Sequence, residues 1–465
     1  MQSAEPKKAL KISLSFENNM DSKVIYIGSS RQLFIDDYLI DKSSGIKFAV
    51  NSPVKTHEKL IIADCPWEDI MVGPYCTVMD DDGVYKMWYE SYAKDNDMKA
   101  MGFLCYAESE DGLVWRKPTI GKIPFRGSNA NNIVFPNEGK LYHGGTVFKD
   151  SVAEYAQRYK MVYAIHADGL FGAYSSDGVN WSTYDGYLLR NQCDTQNVCF
   201  WDGCIKKYVC YVRHNVPIRN PNVLRTVGRS ETEDFLNWPP VETVLSFDQK
   251  DPPDMDFYNS AAIKYARADD VYIIITSCYH HTEDVLIPQL ATSRDGITWN
   301  RIDRKPFLEL GKTAAFDSGM IHTCVGQVIR GDEIWIYYRG IEKKHNQPYS
   351  LTKYGGTITR AVLRVDGFVS VDADSQEGFV FTKPLIFSGN ALEINCKTES
   401  DGYMQVQMDA LEDCQRHLIS ERLAGDMIDK KVNWPERKLR ELNGVPVKIT
   451  FKMKNSKLFS FRFRD

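Results

Sequence analysis

The feature that most limits what this chain can fold into is a seven-residue turn that recurs along it. Ser109-Glu110-Asp111-Gly112-Leu113-Val114-Trp115 returns as Ser175-Ser176-Asp177-Gly178-Val179-Asn180-Trp181, and again as Ser293-Arg294-Asp295-Gly296-Ile297-Thr298-Trp299. A looser copy runs from Ser230 to Trp238 and ends Asp234-Phe235-Leu236-Asn237-Trp238. Successive copies stand roughly 55 to 65 residues apart, the length of one propeller blade with insertions. Asp-Gly marks a tight turn, because glycine accepts a positive φ and aspartate bonds its own backbone. Ser and Asp can tie the turn closed, and Trp then opens the next strand and packs between units. These are scaffold residues, to which we assign no catalytic role.

Between the copies lie β-branched and aromatic strands: Val84 to Glu90, Tyr159 to Tyr163, Tyr208 to Val212, Val271 to Ile275 and Ile334 to Tyr338. Five equivalent strands predict five blades. The units run from about Pro66 to Lys117, Asn131 to Thr183, Asp194 to Pro239, Asp254 to Arg301 and Phe316 to Val371. The strand Gln32 to Ile40 is placed to close the ring against the last blade, covering an open edge. After about Gly378 short alternating segments, such as Tyr403 to Met408 and Leu458 to Phe463, suggest a sandwich. The expected fold is therefore all-β: a leader over residues 1–22, a five-bladed β-propeller over 23–377 and a β-sandwich over 378–465.

Composition narrows the function classes. The net charge is −5 with no basic stripe, which argues against nucleic acid as a partner. No apolar run approaches the roughly 20 residues of a membrane span. Aromatic residues make up 12 %, which suits both a strand-rich fold and a sugar-binding cleft. The polar opening Met1 to Lys8 has no signal core, and our expectation is a secreted or periplasmic protein whose signal peptide has been removed. The 11 cysteines follow no disulfide framework and read as buried free thiols. Cys193, Cys199, Cys204 and Cys210 cluster without the tight spacing a zinc site wants. No cofactor is implied. A structural Ca²⁺ near the axis is compatible with the aspartates expected there, although no ligand loop is diagnostic. The oligomeric state is left open.

The chain resembles the propeller-plus-sandwich glycoside hydrolases of family 32, and more loosely families 43 and 117. Within that group it is similar to bacterial family 32 N-terminal-like proteins, through Leu33 to Ile40, Tyr106 to Gly112, Asn131 to Val134, Asp366 to Ser370 and Leu458 to Phe463. The turn motif also looks like a shortened sialidase Asp-box with a different Asp–Gly spacing. The resemblance implies the fold and a carbohydrate substrate. It does not carry fructan cleavage, because the Trp-Met-Asn-Asp-Pro-Asn, Arg-Asp-Pro and Glu-Cys motifs of the family 32 enzymes are absent. Pro66-Trp67-Glu68-Asp69, followed by Gly73-Pro74, stands at the first-blade position.

In a propeller the leading end of each inner strand reaches the ligand funnel, so candidates come from the unit starts. The carboxylates are Glu68, Asp69, Asp194, Asp256 and Asp317. Glycoside hydrolysis needs two such groups, one to protonate the leaving oxygen and one as nucleophile or base. Candidate substrate contacts are His143, Asn197, Tyr258, His322, Trp67 for stacking, Arg213 and Arg339 for an acidic sugar, and Glu342 at the rim. The reading is an exo-acting glycoside hydrolase. The alternatives are a non-catalytic carbohydrate-binding propeller, or a glycoside phosphorylase or lyase on the same fold. A phosphorylase should gather Arg, Lys and His beside its acid.

Overall fold

The computed structural model describes residues 24–465 except 137–141, 166–168, 192, 218–222, 350–352, 414 and 436–438. The leader expected over 1–22 lies outside the described residues. The described residues are all-β apart from short 3-10 turns.

Three four-stranded antiparallel sheets follow one another. The first comprises Met71–Asp81, Val84–Lys94, Ala100–Ser109 and Ile133–Phe135. The second comprises His143–Lys149, Tyr159–Ala164, Leu170–Ser175 and Ser182–Thr183. The third comprises Val198–Asp202, Lys207–Pro217, Val223–Thr232 and Glu242–Leu245. Two further units are linked by one parallel pairing, Leu286 with Met320. The fourth is built on Tyr272–His280 and Val285–Ser293, and the fifth on Glu333–Ile341 and Thr357–Arg364. The central strands read as nearly continuous apolar runs because both of their faces are covered.

Contacts between the leading strands pass from unit to unit and return to the first. Val147 donates its N–H to Thr77 Oγ1 at 3.1 Å, and Thr146 Oγ1 donates to the Asn197 carbonyl at 2.7 Å. Asn259 Nδ2 donates to Gln196 Oε1 at 2.9 Å, and Ser277 Oγ to the Ile321 carbonyl at 2.8 Å. The Val78 N–H bonds the Val325 carbonyl at 2.9 Å, and the Val325 N–H bonds the Cys76 carbonyl at 2.9 Å. A disulfide, Cys76–Cys324, joins the same two strands. This corrects the expectation that every cysteine is a free thiol. The pairing spans 248 residues of sequence and is made only when the fifth unit meets the first, with the two Cα atoms 5.0 Å apart.

The recurrent turn does two jobs. Within it, Ser109 Oγ accepts the Gly112 N–H, Asp111 accepts the N–H groups of Leu113 and Val114, and Trp115 Nε1 closes on the Gly112 carbonyl. Between units, the same glycine carbonyl accepts an aromatic donor from the neighbouring unit. Tyr337 donates to Gly112 at 2.8 Å, Trp88 to Gly178 at 2.6 Å and Tyr211 to Gly296 at 2.8 Å. A Cβ on Gly178 would lie 2.6 Å from the Trp88 ring, and its φ is +79°, so both packing and backbone demand glycine there.

A second repeat went unseen in the sequence. A buried aspartate ends a leading strand in three units and is matched by a lysine and by a tyrosine of the next unit. Asp81 takes Lys86, Lys149 and Tyr159; Asp150 takes Lys160 and Tyr208; Asp202 takes Lys264 and Tyr272. A buried charge persists only when paired and hydrogen-bonded in this way.

The expected strand over Gln32 to Ile40 is broken. Gln32–Leu33 pairs with the last strand of the chain, and the run turns at Asp36, which accepts the Tyr38 N–H and grips Arg294. Val54–Lys55 and Ile61–Ile62 cover the edge of the fifth unit instead, on Thr357–Arg364. The remaining sheet has eleven strands and joins the first and last strands of the described residues. It takes in Ile25–Gly28, Ile40–Ser44, Ile46–Val50 and Val369–Ala373 as well as the strands after residue 378. Its two longest strands, Ala391–Ala410 and Val447–Arg464, pair with each other around Leu392, Met404, Phe451 and Phe461.

Candidate functional site

The leading ends of the units bring a set of polar side chains together around His143. Its ring is held on three sides. Nδ1 lies 2.5 Å from Tyr92 Oη and 3.5 Å from Glu90 Oε1, while Nε2 lies 3.2 Å from Asp194 Oδ1. Tyr75 packs beside it with ring centroids 5.4 Å apart, and reaches His322 on its other side at 5.8 Å. Asp194 is brought in by a close backbone approach. Gly144 has φ +61°, and a Cβ there would lie 1.6 Å from the Thr195 carbonyl oxygen, so only glycine lets residues 193–197 dock. Asn197 spends its amide on fixing that loop, donating to the Gly144, Cys193 and Thr195 carbonyls.

A rim of Arg, Lys and His side chains surrounds the cluster. Arg213 lies 3.8 Å from Asp194 and donates to the Tyr258 carbonyl. Arg225 pairs with Asp256 at 3.0 Å and stacks over Tyr258 and Tyr279. His281 meets Asp256 at 3.2 Å, and His345 Nε2 meets Tyr258 Oη at 2.9 Å. Lys343 and Arg339 are buried nearby, with no carboxylate in ion-pair reach among the described residues.

The environment separates the carboxyl groups. Glu90 is fully buried, its Oε2 has no partner, and burial pushes its pKa up to about 7 against the pull of His143, the Gly144 N–H and Arg339. Asp194 is more than half exposed, and its hydrogen bond with His143, helped by Arg213 and Arg225, holds it at about 2. Burial alone would favour neutral His143, but Glu90 and Asp194 on its two sides outweigh burial and raise its pKa. His322 is shifted the other way, by burial and by the charge of Arg339. Burial and Arg339 bring the Lys343 ammonium down to about 8. The result is an ionised carboxylate facing solvent, bridged by one imidazole to a buried carboxyl that keeps its proton to near neutrality.

The sequence candidates divide accordingly. His143, Asp194, Arg213, Tyr258 and His322 meet, and Asp256 joins them through Arg225. Arg339 lies within Coulombic reach of Glu90 but spends Nε on the Val72 carbonyl. Glu342 accepts the N–H groups of Lys353 and Tyr354. Asp317 is placed elsewhere: it is buried against Lys55 at 2.7 Å and Tyr338 at 3.1 Å, and Tyr338 points to the sheet face opposite that of its neighbour Arg339. Glu68 is a brace for Lys117 and Tyr89, and Asp69 holds Arg126 and the Lys94 N–H near the surface. Trp67 donates to Asn132 and packs in the core of the first unit. Glu90, Tyr75, Tyr92 and Arg225 were not among the candidates. Glu90 was legible as an acid in the middle of an otherwise apolar strand, Met87-Trp88-Tyr89-Glu90-Ser91-Tyr92.

For a metal, one group of ligand atoms gathers among the described residues, on Asp64, Cys65 and Glu68. Lys117 Nζ already sits in it, 2.5 Å from Asp64 and 2.8 Å from both Glu68 oxygens, and supplies the positive charge a cation would bring.

No family model matches the chain, and neither does any curated protein. Among solved structures it is similar to one described as a glycoside hydrolase, at 16% identity and a TM-score of 0.49, covering 66% of this chain and 92% of that one. It is similar to a β-1,2-mannobiose phosphorylase from Listeria innocua at 11% identity and 0.48, over 68% and 98%. It is also similar to an N-acetylgalactosamine deacetylase from F. plautii at 14% identity and 0.48, over 70% and 97%. The likeness is a remote one of all-β chain path.

Proposed function

We propose that the chain is an exported, exo-acting glycoside hydrolase whose site lies at the mouth of a five-bladed β-propeller. The terminal strands form a β-sandwich beside the ring, centred on residues 378–465. Support for the ring comes from the cycle of contacts that returns from the fifth unit to the first. Support for export comes from the Cys76–Cys324 disulfide, a bond that persists in oxidising compartments.

The observation that carries the activity is the pairing of an ionised, solvent-facing Asp194 with a buried, proton-holding Glu90 through His143. Two carboxyl groups pushed apart in pKa are what acid and base roles require. Asp194 acts as nucleophile or as base for water. His143, recharged from Glu90, delivers the proton to the leaving oxygen. Arg213 and Arg225, braced over the Tyr258 ring, hold the sugar's polar groups.

One observation favours a second reading. Arg213, Arg225, Lys343 and His345 gather beside the acid, as a phosphorylase would need to bring an oxyanion in place of water.

The test is a screen of plant and marine glycans with the wild type and with Asp194→Asn, Asp256→Asn and Asp317→Asn, each with and without inorganic phosphate. Hydrolysis predicts sugar release independent of phosphate, lowered about 10²–10⁴-fold by Asp194→Asn. Strict dependence on phosphate would establish the second reading. Wild-type silence with retained glycan binding would make the protein a binder.

A further inference from the structure

A groove of about 650 Å³ lies beside the cluster, between the second and third units. It is lined by Tyr187, Arg190, Asn191, His214, Trp238 and Pro239 among others, and no lining residue is a carboxylate. The volume is in the range of sites that hold small molecules. Tyr187 is 40% exposed, and its ring is backed by Phe171 at 4.6 Å and carries the Arg190 guanidinium at 5.0 Å, so it braces that cation at the groove. Trp238 anchors itself by donating to the Phe235 carbonyl and leaves its ring partly exposed at the groove.

The groove and the cluster share a wall. Arg213 and His214 are neighbours on one strand, so they point to opposite faces: Arg213 toward Asp194, His214 into the groove with Nδ1 on Thr243 at 2.6 Å. Asn191 lines the groove, stands three residues before Asp194, and donates to the Arg213 carbonyl at 2.6 Å. Arg190 has no carboxylate partner among the described residues and gives the groove a cation, to which the His214 ring adds a polar group.

Resting on the carbohydrate reading above, we propose that this groove is a second glycan subsite, which holds the outer sugars of a uronic-acid-bearing chain. Trp238 presents aromatic surface to a sugar face, and Arg190, braced on the Tyr187 ring, takes the carboxylate.

Native affinity electrophoresis tests it, with the full chain run in gels containing polygalacturonate, alginate or neutral dextran. The wild type should be retarded by at least one acidic polymer and not by dextran. Tyr187→Ala and Arg190→Gln should each weaken that retention by about ten-fold, with unchanged thermal midpoints showing that both variants are folded. Asp194→Asn should keep the retention, since it removes no groove contact. Absence of retardation by either acidic polymer, equal retardation by dextran, or variants that run as the wild type would overturn the proposal. The two readings fail separately: loss of glycan cleavage in Asp194→Asn with unaltered groove variants would sink the subsite and spare the enzyme.

Discussion

Replacing Glu90 by Gln isolates the most consequential electrostatic feature of the site. The glutamine keeps the shape of the neutral acid and cannot ionise. Burial moves Glu90 from a carboxylate's ordinary 4.5 to about 7, which corresponds to roughly 3 kcal/mol in favour of the neutral form. Between those two values the folded protein holds a proton that the unfolded chain has released, so wild-type stability falls as pH rises through the interval. The variant has nothing to titrate there. Its stability relative to the wild type should therefore improve by roughly 2 to 3 kcal/mol between pH 5 and pH 8. Guanidinium unfolding of both proteins at the two pH values, followed by tryptophan fluorescence, measures this. The comparison cancels every other titrating group that the substitution leaves alone. A stability gap that stays constant across the interval would refute the reasoning, because Glu90 would then be ionised in the fold without penalty.

Other outcomes follow from the scaffold. Gly178→Ala places a side chain at φ +79° and 2.6 Å from the Trp88 ring, and should cost about 1–3 kcal/mol in denaturant unfolding. Cys76→Ser combined with Cys324→Ser removes the covalent tie between the fifth and first units, and should cost about 2–5 kcal/mol, read as a lowered thermal midpoint. If the wild type is already as labile as that double variant under non-reducing conditions, the tie contributes nothing.

How much of this was legible in the sequence depended on distance along the chain. The turn at Ser109, Ser175 and Ser293 could be read because its bonds are local: Ser and Asp meet backbone groups two or three residues away. The five strand runs were equally plain, being apolar on both faces. What the sequence hid was long-range pairing. Gln32–Leu33 finds its partner at Ser460 and Phe461, and Cys76 finds Cys324, neither of which periodicity can signal. The site followed the same division. His143 and Asp194 stood among the candidates because they begin units. Asp317 also begins one, but its side chain turns toward Lys55 and Tyr338, a facing that only the backbone path decides. Glu90 sits mid-strand, where a search of unit starts does not reach, although an acid amid Trp88, Tyr89 and Tyr92 was itself a signal.

The account rests on Asp194 and His143 being the groups that meet a sugar. A crystal structure of Asp194→Asn, soaked with the oligosaccharide that the wild type cleaves, tests this most directly. We expect the scissile oxygen within hydrogen-bond reach, about 3 Å, of His143 Nε2 or of residue 194, with the sugar ring against the Arg213–Arg225 rim. A sugar seated away from His143, with that imidazole still enclosed by Tyr92, Glu90 and residue 194, would contradict it.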